Sequence, residues 1–150
     1  MAIAGNIEWK LEQAFVDVLA AADDLTTADV RRYRDARTEP NYDNGAVTVA
    51  CSGARDQSFA VRTNYAFALV ELQCITYNRD DTQGVEVTDL LGAVRDKIYS
   101  DSFILDLTGA VSGLIVYAVL IEDPTLNLDT NRLRRRSLTC TVHARAQDIG

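Results

Sequence analysis

The stretch that decides the fold is Tyr65–Tyr77, which reads YAFALVELQCITY. In a β-strand successive side chains point to opposite faces, so two sets of alternate residues have to be compared. One face would carry Ala66, Ala68, Val70, Leu72 and Cys74, and the other would carry Phe67, Leu69, Glu71, Gln73 and Ile75. Apolar residues are the majority in both sets, which predicts a central strand or one that is covered on both sides.

Arg132–Arg145 shows the cleanest alternation in the chain and predicts a long last strand. Its apolar face would consist of Leu138, Cys140, Val142 and Ala144. Its opposite face would consist of Arg135, Ser137, Thr139, Thr141, His143 and Arg145. Three other segments alternate over shorter lengths and predict further strands: Asp29–Arg37, Ala46–Cys51 and Leu114–Glu122.

The segments between these strands have the composition of turns and loops. Turn-forming residues at Glu39–Asn41 and Asp43–Gly45 predict tight turns. Ser52–Thr63 is polar and lacks a period, which predicts an extended loop, and Pro124–Asn131 predicts a long connection. Leu107–Gly113 contains two glycines but no lysine follows Gly113, so we expect a flexible connection rather than a phosphate-binding loop.

Two segments show helical spacing of their apolar residues. Ile7–Ala22 predicts an amphipathic helix of about four turns with Asn6 as its N-cap. Val87–Ser100 predicts a second helix with Thr88 as its cap. Ser102–Leu107 is short and apolar and predicts a turn of helix against the core.

The order of the main elements is therefore α-β-β-β-α-β-β. Runs of strands between isolated helices are typical of an α+β fold with a mostly antiparallel sheet, and both main helices would pack on one face of it. The chain has 150 residues, the usual size of one domain, and contains no linker, repeat or low-complexity tract. We therefore expect a single domain over residues 1–150.

Composition excludes several classes of partner. The formal net charge is -7, which is unfavourable for a general nucleic-acid binder or for docking on an anionic membrane. Met1–Gly5 is not followed by the apolar run of a signal peptide, and Leu114–Ile121 is too short to span a bilayer. We expect synthesis in the cytoplasm, where the protein stays or from which it leaves as part of something larger, and no membrane partner.

The sequence contains no recognisable catalytic centre. The only histidine, His143, lies three residues from Cys140, and an odd separation on a strand points the two side chains to opposite faces. Three widely spaced cysteines (Cys51, Cys74 and Cys140) form neither a disulfide scaffold nor a zinc motif, which favours reduced, buried thiols. We predict no catalytic residue, no cofactor and no metal, and hence no enzymatic activity.

The arginines are concentrated in two short windows. Eight of the fifteen basic residues lie there, namely Arg31, Arg32, Arg34, Arg37, Arg132, Arg134, Arg135 and Arg136. Three interpretations are open: a solvated sheet edge protected by charge, an interface that meets carboxylates of another copy, or contact with DNA. Trp9 lies opposite the apolar stripe of its helix, either as an exposed interface anchor or beneath Ser52–Thr63.

The layout resembles that of the tail-terminator and tail-completion (neck) proteins of tailed bacteriophages. The resemblance lies in the element order, the initial helix Ile7–Ala22, and the helix Val87–Ser100 before the final hairpin. The closing segment Arg132–Val142, which reads RLRRRSLTCTV, is similar to the last strand of that family. The resemblance covers nearly the full chain.

The resemblance implies a structural virion protein that forms a hexameric ring between tail tube and head. Its partners would be other copies of the chain, the tail tube protein and head–tail connector proteins, with DNA passing through the ring. The segments Thr38–Gly45, Ser52–Thr63 and Asp123–Asn131 would contact neighbouring rings. Two other functions remain open: another head–tail joining subunit, of the head-completion or tube type, and a small cytoplasmic adaptor unrelated to virions.

Overall fold

The computed structural model of the chain describes residues 3–33, 41–56, 65–127 and 129–146. Its elements in chain order are α1 (Ile3–Ala20), a 3-10 turn (Asp23–Leu25), β1 (Asp29–Arg32), β2 (Ala46–Asp56), β3 (Tyr65–Tyr77), α2 (Val85–Tyr99), α3 (Phe103–Ala110), β4 (Leu114–Asn127) and β5 (Leu133–Ala146). The predicted order of helices and strands is therefore found, and α3 lies where Ser102–Leu107 predicted a turn of helix.

The five strands form one sheet in the order β1-β2-β3-β5-β4. β1 runs parallel to β2, and the other three neighbouring pairs are antiparallel. The predicted α+β class with a mostly antiparallel sheet is confirmed. β3 is the middle strand, as the apolar majority on both of its faces predicted.

The helices cover one side of the sheet, here called the helix face. The sheet contributes alternate residues of its two central strands to this core: Ala68, Val70, Leu72 and Cys74 of β3, and Leu138, Cys140, Val142 and Ala144 of β5. The rings of Phe15 in α1 and Phe103 in α3 meet edge to face with centroids 5.5 Å apart, which joins the first and third helices. The opposite side of the sheet is here called the open face.

The start of α2 differs from the prediction. α2 begins at Val85, and Thr88 is not its cap, because the Thr88 hydroxyl donates to the carbonyl of Gly84 at 2.7 Å. The carboxylate of Asp81 instead accepts the backbone N–H groups of Glu86 (3.1 Å) and Val87 (2.9 Å). Gly84 has φ of 74°, a conformation that glycine adopts without strain, and this turn brings Asp81 over the helix.

The other two helices also differ at their ends. α1 starts at Ile3 rather than after Asn6, and it ends at Ala20 because the 3-10 turn that follows buries Leu25. α3 runs to Ala110, so it occupies half of the connection that we expected over Leu107–Gly113.

Two strands are longer than predicted. β2 continues through Asp56, so the first part of the predicted loop Ser52–Thr63 pairs with β3 across a register shift. β4 continues to Asn127, which corrects the predicted connection at Pro124–Asn131: Pro124 lies in an edge strand, where a missing N–H donor is tolerated. β1 ends at Arg32, and residues 34–37 of the predicted first strand lie outside the described residues.

Candidate interaction surface

One half of the open face is apolar and exposed. Its members are Phe67 and Leu69 of β3 and Tyr117 and Leu120 of β4, with exposures of 41%, 44%, 43% and 64%. A bulge in β4 between Val116 and Ala118 accommodates Tyr117 as an extra residue. Large apolar side chains gathered on one uncovered sheet face are typical of an interaction surface. We call this set the apolar half of the open face.

His143 lies within the apolar half and packs against two of its rings. It stacks on Phe67 with centroids 4.5 Å apart, and it tilts against Tyr117 at 5.4 Å. Cys140 points to the helix face, where it is fully buried, and burial raises the pKa of its thiol to about 12. The prediction that His143 and Cys140 diverge is confirmed, so the two do not form a nucleophile and base.

The other half of the open face is polar and contains a groove of about 280 Å³. Tyr33, Thr48, Ala50, Glu71, Gln73 and Arg135 line it. Gln73 donates to the Glu71 carboxylate at 2.9 Å, whereas the Nε of Arg135 is buried and has no hydrogen-bond partner among the described residues. Arg135 therefore presents a cation to the groove without a bonded counter-charge in that part of the chain.

The neighbours of Arg135 point to the helix face and are engaged there. Arg134 donates to the backbone carbonyls of Asp81 (2.6 Å) and Thr82 (2.9 Å). Arg136 binds the Asp129 carboxylate at 2.7 Å, and Arg134 reaches the same carboxylate at 3.3 Å. The hydrogen bond from Arg136 is the main cause that lowers the pKa of Asp129. These two arginines tie the start of β5 to the turn before α2.

The first arginine window is also divided between the faces. Arg31 makes a 2.6 Å ion pair with Asp29, while Arg32 lies over the ring of Trp9 at 5.6 Å. Arg132 lies 5.6 Å from the ring of Tyr77. Arg34 falls outside the described residues. Among the described residues the two windows meet only in part: Arg31, Arg32 and Arg135 line one small cavity of about 150 Å³, whereas Arg134 and Arg136 are engaged on the helix face.

Trp9 is half exposed, at 50%, which fits the predicted position opposite the apolar stripe of α1. Most of the loop that we considered as a cover, residues 57–64, lies outside the described residues. The Trp9 side chain is half exposed among the described residues, and Arg32 lies over its ring. Trp9 is therefore a secondary candidate for an interface.

The helix face carries an acidic groove that we did not predict. This groove, of about 650 Å³, lies between α2, the 3-10 turn and the start of β2. Its carboxylates are those of Asp24, Asp43, Glu86, Asp89 and Asp96. Three of them lie on α2 with helical spacing, which is the sequence signal that could have indicated it. We call this feature the acidic groove.

A second exposed apolar feature lies where α2 meets α3. Tyr99 (71% exposed), Leu105 (75%) and Ile104 (38%) are large side chains that remain outside the core there. We call these three residues the α2–α3 corner.

Among the described residues, no group of three or more histidine, cysteine, aspartate or glutamate side chains is placed to hold a metal ion. Within the same part of the chain, no helix is long and apolar enough to cross a membrane. All three cysteines are buried, and none of them forms a disulfide.

Neither a protein-family model nor a curated protein matches the sequence. A solved structure of a protein without a functional name is similar over 96% of this chain and 95% of that chain, with 12% sequence identity and a TM-score of 0.49. A likeness of this size supports no statement about function.

Proposed function

We propose that this protein is a structural virion subunit, one copy of a ring that terminates the tail tube of a tailed bacteriophage and joins the tube to the head or neck. Its partners are other copies of the chain, the tail tube protein and the connector proteins of the head. DNA passes through the ring. The role consists of shape and contact, without catalysis or a cofactor.

The observation that carries this proposal is the apolar half of the open face. A sheet that exposes Phe67, Leu69, Tyr117 and Leu120 on one side keeps apolar surface in water unless another protein covers it. The net charge of -7 disfavours nucleic acid as the cover, because phosphates require basic surface. A protein partner is therefore the better match, and a ring supplies one for every copy.

The surroundings of the partly buried polar side chains and of the buried cysteines also support a structural role. His143 is packed between two aromatic rings, and burial raises the pKa of both Cys74 and Cys140 to about 12. Arg134 and Arg136 hold turns of the chain itself. These side chains are used in packing and in internal hydrogen bonds, which leaves the exposed surfaces as the sites of function.

Two experiments test the proposal. Absolute mass from light scattering after size exclusion, over a concentration series at low and high salt, should show a closed oligomer near six subunits. Purified protein added to tails that lack a terminator should cap them and restore joining to heads. The double variant Tyr117→Ser/Leu120→Ser removes two exposed side chains of the apolar half. It should fail to cap tails under the same conditions.

Other outcomes would point to the alternatives. Completion of unfinished heads, without capping of tails, would indicate a head-completion subunit instead. A protein that stays monomeric and acts on neither tails nor heads would overturn the proposal in favour of a cytoplasmic adaptor.

A further inference from the structure

At one end of the sheet, the open face carries Arg135 and the helix face carries the acidic groove. Arg135 pairs with Ile75 in the register of β5 and β3, and Thr76, the next residue of β3, lines the acidic groove on the helix face. The partly buried cation and the cluster of carboxylates therefore lie at the same end of the subunit, on opposite faces.

The apolar features lie toward the other end. His143 is eight residues from Arg135 along β5, which corresponds to about 27 Å. Behind this part of the sheet, the Thr108 hydroxyl of α3 accepts the N–H of Val116, and Val116 pairs with Ala144. The α2–α3 corner leads into this helix, so the apolar half and the apolar corner again share one end and lie on opposite faces.

We infer that the open face of one copy docks on the helix layer of a second copy in the same orientation, with Arg135 against the acidic groove and the apolar half against the α2–α3 corner. This inference rests on the proposed ring. Stacking two copies without reversing the strand direction brings both pairs of features together at once. The contact joins two different surfaces, and such a head-to-tail contact closes into a ring when each step includes a rotation.

Charge argues for a second copy and against the other arrangements. The acidic groove has five carboxylates, and arginine binds carboxylates with paired N–H donors. Two open faces related by a two-fold axis would place Arg135 either against its own symmetry mate or against the apolar half, and both contacts are unfavourable. DNA would meet Arg135 beside Arg31 and Arg32, which line the same small cavity. Arg31 is paired with Asp29, and Arg32 lies over Trp9. Little positive charge is therefore left on this acidic protein to hold a phosphate backbone.

Charge reversal tests the contact. Arg135→Glu alone and Asp89→Lys/Asp96→Lys alone should each raise the concentration needed for assembly by about tenfold or more, because both create a like-charge contact. An equimolar mixture of the two proteins should assemble again, because every contact in an alternating ring is then between opposite charges. Restoration also proves that both variants are folded.

Arg79→Glu is the control for net charge. Arg79 is 71% exposed and lies beside Asp80 and beside Asp43, a carboxylate of the acidic groove. Reversal there makes the same change in total charge as Arg135→Glu, but it adds negative charge next to the groove and leaves Arg135 unchanged. Assembly of this variant should therefore be at least as strong as that of the wild type.

Several outcomes would overturn the inference. Assembly of Arg135→Glu at the wild-type concentration would exclude this pairing. Failure of the Arg135→Glu and Asp89→Lys/Asp96→Lys proteins to assemble when mixed would exclude it too. Both results would leave the proposed ring itself open. A wild type that stays monomeric at every concentration would exclude any contact between free copies, and the capping of tails would then decide the proposed function separately. Loss of DNA binding by Arg135→Glu with unchanged assembly would assign the arginine to DNA instead.

Discussion

His143 stacks on Phe67 across β5 and β3, with the two ring planes 19° apart and the centroids separated by 4.5 Å. Tyr117 of β4 extends the aromatic contact to a third strand. His143→Ala should lower the free energy of unfolding by about 0.5–1.5 kcal/mol, the usual worth of such a ring contact. His143→Phe should retain the ring contact and its contribution to the unfolding free energy. Urea unfolding of both variants makes the comparison, and equal losses would show that the ring contact contributes nothing.

Arg134 is expected to stabilise the turn before α2. Arg134→Met removes hydrogen bonds to the carbonyls of Asp81 and Thr82, which should cost about 1–3 kcal/mol of unfolding free energy. Arg79→Met is the control at an exposed arginine that lies over the Tyr77 ring at 4.4 Å, and it should change the unfolding free energy by less than about 1 kcal/mol. Similar effects of the two substitutions in thermal or urea unfolding would contradict this role.

Asp81 should make the free energy of unfolding depend on pH in the acid range. Burial alone would raise the pKa of its carboxyl, but hydrogen bonds from Val87, Glu86 and Thr76, with the charge of Arg134, together lower the pKa below its ordinary 3.8. A lowered folded pKa means that the contribution is present above pH 3.8 and is lost as the pH falls through the folded value.

Asp81→Asn should therefore be less stable than the wild type at neutral pH, by about 1–3 kcal/mol. Between about pH 5 and pH 2 its unfolding free energy should fall less steeply than that of the wild type. Circular dichroism of urea unfolding at several pH values measures both slopes, and parallel slopes would argue against Asp81 as a source of acid sensitivity.

The three thiols should be protected in the native protein. Cys51, Cys74 and Cys140 are buried, and the raised pKa of Cys74 and Cys140 keeps those two in the unreactive thiol form. Ellman's reagent should therefore titrate no cysteine at pH 8 without denaturant and three in guanidinium chloride. Rapid labelling of even one native thiol would show that the sheet opens locally.

The exposed leucines should affect assembly and not folding. Leu120→Ser and Leu105→Ser remove apolar side chains that lie mainly in water, so the unfolding free energy should change by less than about 0.5 kcal/mol. Both should nevertheless weaken self-association in light scattering, since each alters one side of the inferred contact. A variant that loses stability along with assembly would point to an indirect effect.

The spacing of apolar residues was enough to predict strands and helices whose buried side chains follow a regular repeat. β3 and β5 alternate because one side of each faces the helices, and Leu11 and Phe15 recur on α1 for the same reason. The strand ends were different. β2 and β4 extend past the predicted limits because the strand paired with each, β3 or β5, supplies hydrogen bonds to residues of low strand propensity, and such pairing leaves no periodic pattern in the segment itself.

The arginine window shows why a candidate site is harder to predict than a strand. Arg134, Arg135 and Arg136 are adjacent in sequence, but alternation sends the middle one to the open face and the other two to the helix face. Arg134 binds the backbone of Asp81, and Arg136 binds the carboxylate of Asp129. Turns of the chain bring both aspartates to the helix face, so the side chain of Arg135 on the open face has no such partner among the described residues. Composition could indicate that arginines matter here, while their partners depend on the tertiary fold.

The order of the strands has a consequence for how the protein is made. β5 lies between β3 and β4, although it follows both along the chain. Until β5 is available, β3 and β4 have no strand to join them, and each exposes unpaired backbone groups. The sheet is therefore completed by insertion of its latest strand, so premature termination before residue 133 would leave two separated pieces of sheet and a nascent chain prone to aggregation.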